Sequence, residues 1–142
     1  MAKTKHKNAQ MDWQTVDNNV KILASKIKQK PDIIVAVVRG GLIPARLLAK
    51  YLLVKEMYTL TVKKQDGKRL VVSSINEDLA GKNVLVVEDV LETGMSLVVA
   101  KEYIESLGGI AKTTALFIQP DTKIIPDYYL EVKQEVPIFP WD

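Results

Sequence analysis

The run Val84-Leu85-Val86-Val87-Glu88-Asp89-Val90-Leu91-Glu92-Thr93-Gly94-Met95-Ser96 constrains the fold more than any other stretch of the chain. Four apolar residues, three of them β-branched, precede two adjacent carboxylates. A turn holding Thr93, Gly94 and Ser96 then leads into the apolar-periodic stretch Leu97 to Leu107. This order predicts a buried parallel strand, an acidic loop at its carboxyl end, and a helix whose N-terminus opens onto the loop.

Each part has a chemical use. A helix N-terminus offers unpaired backbone N–H groups and partial positive charge, and Gly94 lets the backbone approach an anion closely. With hydroxyls from Thr93 and Ser96, and the backbone N–H of Met95, the turn Glu92 to Ser96 can cradle a phosphate. Glu88 and Asp89 can accept hydrogen bonds from vicinal sugar hydroxyls or stand near a divalent cation. Phosphate on one side and diol on the other describe a ribose 5-phosphate.

A second anion site precedes this one. The apolar run Ile33 to Val38 reads as a central parallel strand and ends in Arg39-Gly40-Gly41. Two glycines permit a tight backbone shape, so the Arg39 guanidinium and the local N–H groups can grip an anion. Pro44 suits the first turn of a helix through Leu53, with Leu47, Leu48, Tyr51 and Leu52 turned inward.

The run Val84 to Ser96 resembles the phosphoribosyl pyrophosphate (PRPP) signature of the type I phosphoribosyltransferases. The run Val37 to Ala45, with Arg-Gly-Gly-Leu-hydrophobic-Pro at its centre, is similar to the pyrophosphate loop of the bacterial and archaeal xanthine-guanine or hypoxanthine enzymes. The resemblance implies transfer of ribose 5-phosphate from PRPP to a purine base, with pyrophosphate released. It assigns Arg39, Gly40 and Gly41 to pyrophosphate, Glu88 and Asp89 to the ribose hydroxyls and Mg²⁺, and Glu92 to Ser96 to the 5-phosphate. Glu92 falls where the purine enzymes carry an acid near N7 of the base, making it by resemblance the candidate catalytic residue, as general base or hydrogen-bond partner; a glutamate favoured by the helix dipole is the plainer reading.

In the base pocket the chain departs from the family pattern at two places. Gln119, in Phe117-Ile118-Gln119-Pro120, stands where the family has a lysine that recognises the 6-oxo group, and Val136 aligns with an aromatic that stacks on the base. Two alternatives therefore stay open: a phosphoribosyltransferase for another base or amine, and a PRPP- or nucleotide-sensing protein without turnover. Pro140-Trp141-Asp142 also resembles the xanthine-guanine enzymes, and Trp141 is expected in the core.

Met57 to Lys63 and Leu70 to Ser74 read as paired strands around Gln65-Asp66-Gly67-Lys68. The resemblance implies a flexible hood there, where the family often has a Ser-Tyr pair and this chain has Lys63-Lys64; the hairpin is either a surface turn with solvated lysines or one from which Lys63, Lys64, Lys68 or Arg69 reaches the pyrophosphate. Asp12 can cap a helix from Trp13 to Gln29, and Ala111 to Ile118, Tyr128 to Val132 and Val136 to Phe139 complete the strands. Alternating elements predict one α/β domain over residues 12–142, a parallel twisted sheet flanked by helices, with ligands beyond the carboxyl ends of the strands.

Composition narrows the setting. The chain has 142 residues, 47% hydrophobic, enough for one core, and no cysteine, which excludes disulfides and thiolate metal sites. No apolar run is long enough to span a bilayer and no secretion signal is visible, so a cytoplasmic protein is expected. Residues 1–11, with Lys3, Lys5, Lys7 and the sole histidine His6, read as a disordered basic tail. Elsewhere the charges are mixed in sign, against a nucleic-acid partner. By resemblance, a homo-oligomer, dimer or tetramer, is expected.

Overall fold

The computed structural model describes residues 10–142. The apolar run Ile33–Val38 becomes strand β1, with five of its six residues buried. A strand covered on both faces carries no polar alternation, which is why the run is continuously apolar. On one side it pairs in parallel with β2 (Glu56–Gln65), on the other with β4 (Asn83–Leu91). Strand β3 (Lys68–Val71) runs antiparallel to β2 at one edge, while β5 (Ile110–Ile118) and the short β6 (Glu131–Val132) extend the parallel ladder at the other. The six-stranded order is β3-β2-β1-β4-β5-β6.

Three helices cover the sheet. Helices α1 (Trp13–Lys26) and α2 (Leu42–Leu52) pack on one face, where Val16, Val20, Leu23 and Leu48 meet Ile34, Ala36, Leu85 and Val87. Helix α3 (Met95–Ser106) packs on the other, where Leu97, Ala100 and Ile104 meet Ile33, Val35, Val84 and Val86. The side-chain period of two thus divides β1 and β4 between two cores.

Local chemistry sets the helix ends. Asp12 caps α1 by accepting from the Thr15 N–H at 2.8 Å. That helix stops at Lys26, before the expected Gln29, because Ile27 turns to extended backbone (φ −90°, ψ 101°) and buries its side chain instead of continuing the spiral. Helix α2 begins at Leu42, so Pro44 lies inside its first turn, where a missing N–H costs no intrahelical bond. Leu48 is fully buried; Leu47, Tyr51 and Leu52 are half-buried against the same core.

The ends of the described chain meet. Gln10 bridges Ile138, and the Met11 N–H donates to the Ile138 carbonyl at 2.8 Å. Gln10 and Met11 are therefore paired rather than part of a loose tail; the rest of that expected tail, His6 included, lies outside the described residues. Residues 136–139 make this bridge instead of the expected strand, and 128–132 supply only β6 and a bridge from Tyr128 to Thr114. Among the described residues no helix is long and apolar enough to cross a membrane.

Candidate functional site

The expected acidic loop is a strand end. Strand β4 continues through both carboxylates to Leu91, because the ladder to β5 persists through Glu88–Ala115, Val90–Phe117 and Leu91–Ile118. The two acids have different surroundings: Glu88 feels the charge of Arg69, which is hydrogen-bonded to Ser96 at the start of α3, whereas Asp89 accepts from the Trp141 indole and faces Gly40. The true loop is Glu92-Thr93-Gly94, and α3 starts at Met95. Gly94 has φ +83°, and a Cβ there would lie 2.5 Å from Ile124 Cγ2 and 2.7 Å from Thr122 Oγ1. Only glycine satisfies both the left-handed backbone and the missing space.

Beyond the carboxyl ends of β1 and β4 opens a cavity of about 390 Å³. Arg39, Gly40, Glu88, Asp89 and the whole run Glu92 to Ser96 line it, so both sequence signatures meet at one place. Gly41 does not reach the wall. It is buried where a Cβ would lie 2.1 Å from the Val87 carbonyl oxygen and 2.8 Å from that of Val37, so it lets the turn press against two strands. Gly40 faces Asp89 instead: a Cβ there would meet the carboxylate at 2.6 Å. The peptide bond between Val38 and Arg39, at the mouth of this turn, is cis.

Of the four hood candidates, one reaches the cavity. Asp66 and Gly67 form a two-residue hairpin turn, both with positive φ (51° and 77°), and the returning strand brings Arg69 to the wall. Its Nη1 donates to Ser96 Oγ at 2.9 Å, joining hairpin to helix start. Lys63, Lys64 and Lys68 are exposed and stand off the cavity. Of the two base-pocket candidates, Val136 lines the wall and Gln119 does not: its Nε2 donates to the Gln134 carbonyl at 3.1 Å.

Several wall residues were invisible in the sequence. Val62, Phe139 and Asp142 reach the cavity from separate segments. Trp141, expected in the core, is only half-buried; its Nε1 donates to Asp89 Oδ2 at 3.3 Å across 52 positions of sequence. No local pattern encodes such a pairing.

The acids sit in an environment that resists their charge. Burial, followed by the neighbouring charge of Asp89, pushes the Glu88 carboxyl up from 4.5 to about 8, with Arg69 pulling weakly the other way. Burial likewise raises Asp89, opposed by hydrogen bonds from the Val90 N–H and the Trp141 indole. Among the described residues no cluster of three or more His, Cys, Asp or Glu forms a cage for a metal. Two desolvated carboxylates are nevertheless a suitable donor set for Mg²⁺, which is commonly bound by one or two carboxylates together with substrate phosphates.

The family model for the phosphoribosyl transferase domain matches residues 10–142. The chain belongs to this family. A xanthine-guanine phosphoribosyltransferase of Chromohalobacter salexigens is 31% identical over 144 residues, covering 96% of this chain and 85% of that protein. The crystal structure of a purine phosphoribosyltransferase from Pyrococcus horikoshii superposes with a TM-score of 0.86 at 36% identity, covering 94% of this phosphoribosyltransferase and 92% of that chain. The Helicobacter pylori xanthine-guanine-hypoxanthine phosphoribosyltransferase, at 21% identity and a TM-score of 0.80, shares the fold.

Proposed function

We propose that this phosphoribosyltransferase transfers the 5-phosphoribosyl group of PRPP to a purine base, guanine, xanthine or hypoxanthine, in purine salvage. The observation that carries the reading is the single cavity in which an Arg-Gly turn and a helix N-terminus flank two carboxylates. That spacing of anion site, diol acceptor and anion site suits pyrophosphate, ribose and 5-phosphate in one molecule. The relatives named for purines support the choice of acceptor.

In this reading the bond from C1 of the ribose to the pyrophosphate oxygen breaks, and its electron pair leaves on pyrophosphate. A lone pair of the base nitrogen forms the new C–N bond. Arg39 and the Gly40 backbone hold the leaving group, and the turn Thr93 to Ser96 anchors the 5-phosphate on the start of α3. Glu88 and Asp89 orient the ribose hydroxyls, and would hold Mg²⁺, which when bound neutralises charge on the pyrophosphate. Glu92, on the cavity wall, accepts a hydrogen bond from the base and takes the proton that its nitrogen loses. Closure of the hairpin, a homo-oligomer and a cytoplasmic setting complete the reading.

Release of pyrophosphate from Mg²⁺-PRPP with guanine, xanthine, hypoxanthine, adenine or uracil, each against a control without base, tests it. Turnover with a 6-oxopurine is expected. Tight PRPP binding with no turnover on any of them would favour a different acceptor, the reading to which Gln119, tied to Gln134 away from the cavity, lends weight.

A further inference from the structure

We propose that Trp141 is a positioning residue for the reaction, its indole N–H fixing the plane of the Asp89 carboxylate so that the remaining lone pairs face the ribose and its cation. The inference rests on the assignment of Asp89 to the ribose and Mg²⁺ site. The strand sets where the Asp89 Cβ stands, but the terminal torsion of an aspartate is broad, so backbone alone leaves the carboxylate free to rotate. Three neighbours remove that freedom. The Val90 N–H donates to Oδ1 at 2.6 Å, the Trp141 Nε1–H donates to Oδ2 at 3.3 Å, and Gly40 leaves a gap that the carboxylate fills. Each oxygen thus has its own donor from the protein.

The tryptophan can act this way because it is itself held. Its ring stacks on Phe139 at 4.6 Å with the planes 7° apart, and Phe139, fully buried, stacks in turn on Phe117 at 6.3 Å. The turn that carries the ring is closed from both ends. The Phe139 N–H donates to Asp142 Oδ2 at 2.8 Å, and the Asp142 N–H donates to the Phe139 carbonyl at 3.1 Å. Trp13 at the start of α1 tilts against the same indole at 6.1 Å. An indole nitrogen only donates, so it suits the ionised carboxylate and cannot compete for the cation.

Outer partners of ligating groups typically cost about 10–100-fold in metal affinity when removed, and at 3.3 Å the low end applies. Trp141→Phe keeps the ring stack and deletes the donor. Calorimetry should show Mg²⁺-PRPP binding about tenfold more weakly to Trp141→Phe. The KM for the purine should be unchanged, and Trp13→Phe should bind like wild type. In an Asp89→Ala background, which lacks the acceptor, the same substitution should add no further loss.

In Trp13→Phe protein, where one indole remains, the Trp141 Nε1–H resonance should move when Mg²⁺-PRPP is added. Unchanged affinity in Trp141→Phe, an undiminished loss in the Asp89→Ala background, or a stationary resonance would each overturn the proposal. Failure of wild type to bind Mg²⁺-PRPP would instead overturn the underlying reading of the site.

Discussion

Gly40 and Gly41 are adjacent, yet the structure gives them opposite sensitivities. A methyl group at Gly41 meets backbone oxygens of two strands, which cannot yield without disturbing the sheet. Gly41→Ala should therefore lose at least about 2 kcal/mol of stability in urea unfolding, in the range of overpacked cores. A methyl at Gly40 meets only the Asp89 carboxylate, a side-chain group that can shift by loosening its hydrogen bonds to the Val90 N–H and the Trp141 indole. Gly40→Ala should stay within about 1 kcal/mol of wild type while binding PRPP more weakly. An unfolding midpoint for Gly41→Ala equal to that of Gly40→Ala would contradict this division.

Glu88 gives the residue scale its pH dependence. Its folded value, about 8, lies above its ordinary 4.5, so the folded protein binds the proton more tightly than the unfolded chain does. Stability without ligand is therefore full below pH 4.5 and declines as pH rises toward 8, with Asp89 adding the same sign. Glu88→Gln removes the Glu88 share of that decline. Thermal melts of the ligand-free proteins should show the variant more stable at pH 8, by on the order of a few kcal/mol, and indistinguishable near pH 4.

At the scale of elements, the hairpin is a carrier for one side chain. Arg69→Gln should raise the KM for PRPP by about tenfold, the loss of a charge-assisted contact, whereas Lys63→Gln, Lys64→Gln and Lys68→Gln should not. Equal effects in steady-state kinetics from all four would mean that the hairpin acts through its overall charge. The same element shows what sequence reveals. Asp66-Gly67 announced its turn because few residues accept two consecutive positive φ angles, but which of four cations points inward depends on strand register. Likewise the phosphate turn was legible in Gly94 and its hydroxyls. The strand through Glu88 and Asp89 was not, since carboxylates disfavour strands and only the ladder to β5 holds them there. The hydrogen bonds of Gln119 and Trp141 are not legible for a common reason: their partners, Gln134 and Asp89, lie 15 and 52 positions away.

Over the whole molecule, one sheet separates two cores and gathers every functional segment at its carboxyl edge. The bridge between Gln10 and Ile138 adds a property of connectivity, because the two ends of the described chain run side by side at that point. Ends that lie close together on a folded domain are the circumstance in which chains tolerate circular permutation. A rearranged protein with Asp142 joined to Gln10 by a short linker, and opened at the exposed turn around Gly81, should recover the same sheet and bind PRPP. In such a permutant the two phosphate-gripping loops exchange their order along the chain, so the site is defined by the sheet that assembles it and not by the sequence in which its parts are made.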